Sequence, residues 1–153
     1  MKRFAGDDTG VAILELALTA PFLILMTIGI IDIGRFARDG IEVGNAARAG
    51  ASFGAYDVAN STSTNGIASA ATSDASDVSL LATEVASSTY CSCGQTPGTH
   101  VASCSPVPTC ASGDHLDAFV SVTVVKAFSP SMAYPGLPAT ITVSRTATQE
   151  ISP

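Results

Sequence analysis

Basic residues are scarce in this chain and tryptophan is absent. Its 153 residues hold 7 Lys or Arg against 13 Asp or Glu, a formal net charge of −6. The few cations are scattered, so the electrostatic footprint that nucleic acid requires is missing. There is no phosphate-binding glycine loop, and no nucleophile, orienting acid and oxyanion donor fall at a recognised spacing. The two histidines, His100 and His115, lie in polar loops, where an imidazole is ordinarily solvated rather than catalytic. The four cysteines contain no C-x-x-C, which speaks against both a dithiol redox enzyme and the usual zinc knuckle, even with the histidines added. No enzymatic activity, cofactor or metal is expected. Charged residues make up only 13% of the chain, and the abundance of Ser, Thr and Ala suits an exported domain with a small-residue surface.

What the chain has instead is one long apolar run. Between Gly10 and Asp32, in GVAILELALTAPFLILMTIGIID, Glu15 is the only ionisable residue. From Val11 to Ile31 the run can cross a bilayer as one helix at about 1.5 Å per residue. A secretory signal peptide shares the basic start and apolar stretch, but here the stretch is too long and no small-x-small cleavage site follows it. A charge near the centre of a spanning helix costs roughly 2.5 to 3.5 kcal/mol, and less toward an interface. Glu15 therefore either snorkels at the headgroups or has a partner. Cutting after Gly10 would create an amine on Val11, with Glu15 at position five of the shortened chain. Pairing the two, within a subunit or between neighbours, lowers the desolvation penalty and fixes axial register between packed helices. Pro21 removes a helix hydrogen bond and crowds the preceding turn, predicting a kink or loosened turn over Ala17 to Pro21.

A glycine before an apolar run, with glutamate five residues on, resembles the processing site of type IV prepilins. The wider stretch from Gly10 to Ala51, with its ALELAL-like start, its proline, then GIIDIGR and NAARAGA, resembles the TadE-like domain of the tight-adherence (Tad/Flp) pilus systems. The resemblance covers about the first third of the chain. It implies a pseudopilin or minor pilin of a pilus assembly or secretion machine, cut between Gly10 and Val11 by a prepilin peptidase. Gly10 would serve peptidase recognition, Val11 would carry the new amine, and Glu15 would be its partner. Implied partners are that peptidase, other pilin or pseudopilin subunits, the inner-membrane Tad platform proteins and the lipid bilayer. The leader departs from the pattern in being short and in carrying Asp7 and Asp8 beside the cut.

The expected location is the inner membrane, crossed once, with the N-terminus cytoplasmic and the C-terminal domain outside, where the protein can also enter the pilus. Lys2 and Arg3 precede the span while Arg35 and Arg38 follow it, so the positive-inside count is balanced. Helical spacing would neutralise Arg35 with Asp32 and Asp39, and Arg38 with Glu42. The cysteines, too, favour an oxidising outer side.

The division expected is a leader over 1–10, a long helix over 11–55 with its span at 11–33, a linker and short helix over 56–82, and a cysteine-bearing β domain over 83–153. About one hundred residues beyond the first third suffice for one small domain. The helical pattern persists to about Phe53, a helix of roughly 60 Å. Small residues crowd its outer half (Gly40, Gly44, Ala46, Ala47, Ala49, Gly50, Ala51 and Gly54), either to admit another helix or to pack beneath this chain's own domain. Tyr56 to Asn65 reads as a hinge and Gly66 to Ala75 as a short helix capped by Asn65. Period-two alternation marks strands over Val85 to Cys93, Ala118 to Phe128 and Ala139 to Gln149, the last two joined by SPSMAYPGLP. The fold class is α+β: a long N-terminal transmembrane helix continuing into an outer domain with a short helix and an antiparallel sheet of three to four strands.

Cys91, Cys93, Cys104 and Cys110 predict two disulfides stapling that domain. Three connectivities are possible and sequence does not choose among them. A hairpin with Gly94 to Ser103 as its loop would join Cys93 to Cys104 and Cys91 to Cys110. Two rival functions remain open at this level. An uncleaved membrane-anchored binding module would place recognition in the loops from Gly94 to Pro108 and make Glu15 dispensable. A small enzyme would depend on His100 or His115.

Overall fold

The computed structural model describes residues 8–94, 104, 109–110 and 115–152. The basic start with Lys2 and Arg3, Asp7, His100 and most of the loop from Gly94 to Pro108 lie outside the described residues.

Helix α1 (Asp8–Ala55) is 48 residues long, about 72 Å at 1.5 Å per residue. Leu, Ile and Ala dominate its first half and Pro21 is its only proline, through which the helix continues as one element. Short helix α2 (Val58–Thr62) follows, with the Asp57 carboxylate accepting from the Asn60 N–H at 2.6 Å. Helix α3 (Thr64–Asp74) is capped by Ser63, whose hydroxyl accepts from the Gly66 N–H at 3.3 Å. The region that reads as a hinge is thus largely helical, and the cap is Ser63 rather than Asn65. Both residue types cap well. Starting at Thr64 leaves Ile67 wholly buried against α1.

Three strands form one antiparallel sheet in the order β1 (Val85–Cys93), β2 (Leu116–Phe128), β3 (Ile141–Glu150). The register pairs Val85 with Val124 and Cys93 with Leu116 on one side, and Phe119 with Glu150 and Phe128 with Ile141 on the other. This is the α+β architecture expected, with three strands. In the central strand Val120, Val122 and Val124 are fully buried. Their two-residue spacing puts all three on the face toward α1 and α3. They meet Val43, Ala46, Ala47 and Ala51 of α1 with Ile67 and Ala71 of α3. On the opposite face, Tyr90 stacks on its cross-strand partner Phe119 at 5.4 Å. Hydroxyl pairs finish that face, Thr123 with Thr146 at 2.8 Å and Thr148 with Ser121 at 3.3 Å.

The small residues of the outer helix serve this close packing. A Cβ on Gly54 would lie 3.0 Å from Val120 and 3.1 Å from Ile67. The end of the chain is tied in as well: Ile151 N–H donates to the Ala118 carbonyl at 2.8 Å and Ser152 N–H to the Ala55 carbonyl at 2.9 Å.

All four cysteines form disulfides, Cys91 with Cys104 and Cys93 with Cys110. The hairpin pairing is corrected, and the sheet register gives the reason. The strand returning beside β1 is β2, whose first residue Leu116 faces Cys93. Cys110 precedes that point by six residues and so reaches Cys93. Cys104 belongs to the connection between the strands and joins Cys91, one pleat further back on the same face of β1.

Candidate functional site

Among the described residues, α1 is exposed from Val11 to Thr27, with Ala20 alone half-buried. Val11, Ile13, Leu14, Leu16, Leu18, Phe22, Leu23 and Ile30 are all exposed, on every side of the helix rather than along one stripe. The helix is long and apolar enough to cross a membrane. The hydroxyls of Thr19 and Thr27 are satisfied within the helix. Thr19 donates to the carbonyls of Glu15 and Leu16 at 3.0 and 3.2 Å, and Thr27 to that of Leu23 at 2.8 Å.

Gly10, Val11 and Glu15 all lie on this exposed segment. A side chain at Gly10 would meet no atom within 4 Å. Val11 and Glu15 are four residues apart and share a helix face. Among the described residues the Glu15 carboxylate has no hydrogen bond or ion pair.

The next acid behaves in the opposite way. Asp32 is only 5% exposed and its carboxylate gathers donors from the loop between β2 and β3, about one hundred residues later in the chain. Ser131 N–H donates to Oδ2 at 2.9 Å and to Oδ1 at 3.1 Å, and its hydroxyl to Oδ1 at 2.7 Å. The Tyr134 hydroxyl donates to Oδ2 at 2.9 Å. Arg35 completes the cluster, donating from one guanidinium nitrogen to Asp32 at 3.2 Å and to the Ser131 hydroxyl at 2.7 Å. Burial pushes the Tyr134 phenol above its usual range, and its hydrogen bond to the Asp32 carboxylate pushes it further. The Arg35 guanidinium also lies 5.5 Å over the Phe128 ring, which Phe36 meets edge-on at 5.4 Å.

Asp32 and Arg35 sit in the GIIDIGR block, three residues and one turn apart. Sequence spacing found their ion pair but missed its purpose, which is to seize a loop. An acid beside an apolar run, with a loop rich in hydroxyl donors elsewhere, was the available signal. Spacing also misassigned the other pairs. Arg38 bridges to Asp77 at 2.7 Å rather than to Glu42, and Asp39 has no ion pair among the described residues. The short turn after α3 carries Asp77 across to α1, within 2.7 Å of the Arg38 guanidinium.

Two clefts flank the clamp. One of about 320 Å³ is lined by Gly29, Ile33, Phe36, Phe128, Tyr134 and Leu137. The other, of about 560 Å³, lies between α1 and edge strand β3 and includes Gly40, Gly44, Arg48 and Arg145. His115 lies outside both, with Nε2 3.6 Å from Asp117 Oδ2, too far for a hydrogen bond.

The family model described as TadE-like protein matches residues 10–52. The match takes in nearly all of α1, including Gly10, Glu15, Pro21 and the Asp32–Arg35 pair, and ends before α2. No curated protein and no solved structure matches the chain.

Proposed function

Because the chain is TadE-like over residues 10–52, a stretch that points to a component associated with the Tad pilus, we propose that it is a non-enzymatic pseudopilin or minor pilin of that system. A prepilin peptidase cuts between Gly10 and Val11, and the remaining helix anchors the protein in the inner membrane through residues 11–33. The N-terminus faces the cytoplasm and the disulfide-bonded domain lies outside.

The single observation carrying this reading is the exposed apolar half of α1, which begins at the Gly10–Glu15 spacing. An apolar surface that no described residue covers needs a packing partner, and lipid and neighbouring pilin helices both supply it. Within that surface the Glu15 carboxylate pairs with the amine on Val11 of the same or an adjacent subunit. Pro21 loosens the helix just above and lets it adjust as subunits pack.

The reading is tested by N-terminal sequencing of protein from cells with and without the matching peptidase. A start at Val11 that depends on the peptidase, and is lost in Gly10→Val, is expected. A start at Met1 in peptidase-containing cells overturns it. Glu15→Gln keeps the size and removes the charge, and is expected to insert normally but to lose co-purification with other pilin subunits. Unchanged co-purification would remove Glu15 from its assigned role.

A further inference from the structure

The loop over residues 129–140, SPSMAYPGLPAT, contains no charged residue. Its three prolines have no N–H to satisfy. Its Ser131 and Tyr134 donors are turned toward α1. Ser131 N–H, the Ser131 hydroxyl and the Tyr134 hydroxyl all go to Asp32, and Leu137 N–H goes to the Tyr134 carbonyl at 3.1 Å. Outward, beside Ser129 and Thr140, the loop presents Leu137, 57% exposed. Asp32 holds this loop against the last turn of the apolar segment, where Ile30 and Ile33 are also exposed. The cleft of about 320 Å³ between loop and helix opens among the same residues. Its walls, apolar apart from Asp32 and Tyr134, continue the exposed apolar surface of α1.

We propose that the 129–140 loop and the cleft beneath it form a membrane-contact surface that takes the upper acyl chains of bilayer lipid, seating the outer domain directly on the membrane. The chemistry matches the depth. A charge-free loop can enter the boundary between headgroups and acyl chains, where water still reaches its backbone, and the half-buried Tyr134 suits that boundary. Arg35 and Arg38, one turn above, stand at the level of lipid phosphate. The Asp32 clamp thereby sets the height of the domain. This inference rests on the anchor reading of α1.

The absence of tryptophan allows a clean test with the full chain reconstituted in phosphatidylcholine vesicles. Leu18→Trp reports the span, Leu137→Trp the loop, and Tyr56→Trp the far end of α1, about 36 Å along the helix from Asp32. Vesicles containing lipid brominated in the upper acyl chain supply the quencher. Leu18→Trp and Leu137→Trp are each expected to lose roughly half of their emission, with Leu137→Trp blue-shifted, while Tyr56→Trp is unaffected. Quenching at Leu18→Trp but not at Leu137→Trp overturns the membrane-contact surface and leaves the anchor standing. Loss of quenching at both overturns the anchor and this inference together. A blue-shifted, unquenched Leu137→Trp whose emission depends on protein density would give the patch to a second copy of the chain and also overturn the lipid assignment. Leu137 is exposed, so the substitution leaves the core untouched. Met132→Trp in the same loop repeats the measurement from a second position.

Discussion

One helix passes through two environments here. Along residues 11–31, α1 presents large apolar side chains to its surroundings on every side, whereas from Val43 to Ala55 it buries small ones beneath the sheet and α3. The two acids divide the same way. Glu15 projects from the exposed half, and Asp32 is enclosed by five donor contacts at the junction. Large apolar residues are thus spent where no protein covers them, and Ala and Gly where the protein itself packs. The outer half folds by its own contacts, while the inner half keeps its apolar surface uncovered among the described residues.

Matched truncations in the two halves break this comparison most sharply. Ile67 is fully buried between α3, α1 and β2, and Ile67→Ala is expected to cost about 2 to 5 kcal/mol in domain stability. Leu18, 70% exposed, is expected to leave the melting of the outer domain unchanged on Leu18→Ala. Thermal unfolding followed by circular dichroism in detergent distinguishes them, and equal losses would contradict the division.

The disulfides come next. Each closes a loop of 13 or 17 residues, and removing one is expected to cost about 3 kcal/mol. Cys91→Ser/Cys104→Ser should lower the outer-domain melting temperature without altering membrane association. A change in membrane association instead would tie the two halves together.

Asp32→Ala should cost about 1 to 3 kcal/mol, because it strands the Ser131 and Tyr134 donors. Amide hydrogen exchange should accelerate over residues 129–140 and remain slow in β2. Smallest is Arg38→Ala, which removes an ion pair whose two side chains are 58% and 62% exposed. It should shift stability by less than about 1 kcal/mol, and a larger loss would mean that the turn holding Asp77 matters more to α1 than its exposure suggests.

The elements written in local chemistry were legible. Period-two alternation located β1 at Val85 and the end of β2 at Phe128, and the apolar run with the helical pattern beyond it located α1. The missing pieces are those that local spacing cannot reach. Asp32 finds Ser131 across 99 positions, and Arg38 finds Asp77 across 39, whereas sequence reasoning favours partners three or four residues away. The cysteine pairing failed for the same reason. It depends on which strand returns beside β1, and that is decided by the burial of Val120, Val122 and Val124 against α1 rather than by the cysteine spacing. Ser63 and Asn65 are chemically equivalent caps, and the choice between them is made by where Ile67 must point.

The most direct test of the central claim is the intact mass of the membrane-extracted protein from cells carrying the matching prepilin peptidase, taken before and after reduction with thiol alkylation. The account predicts a chain that begins at Val11, with all four thiols protected until reductant is added. A chain that still begins at Met1 would contradict its assignment as a processed pilin-like subunit, and thiols open to alkylation without reductant would contradict the disulfide-bonded outer domain.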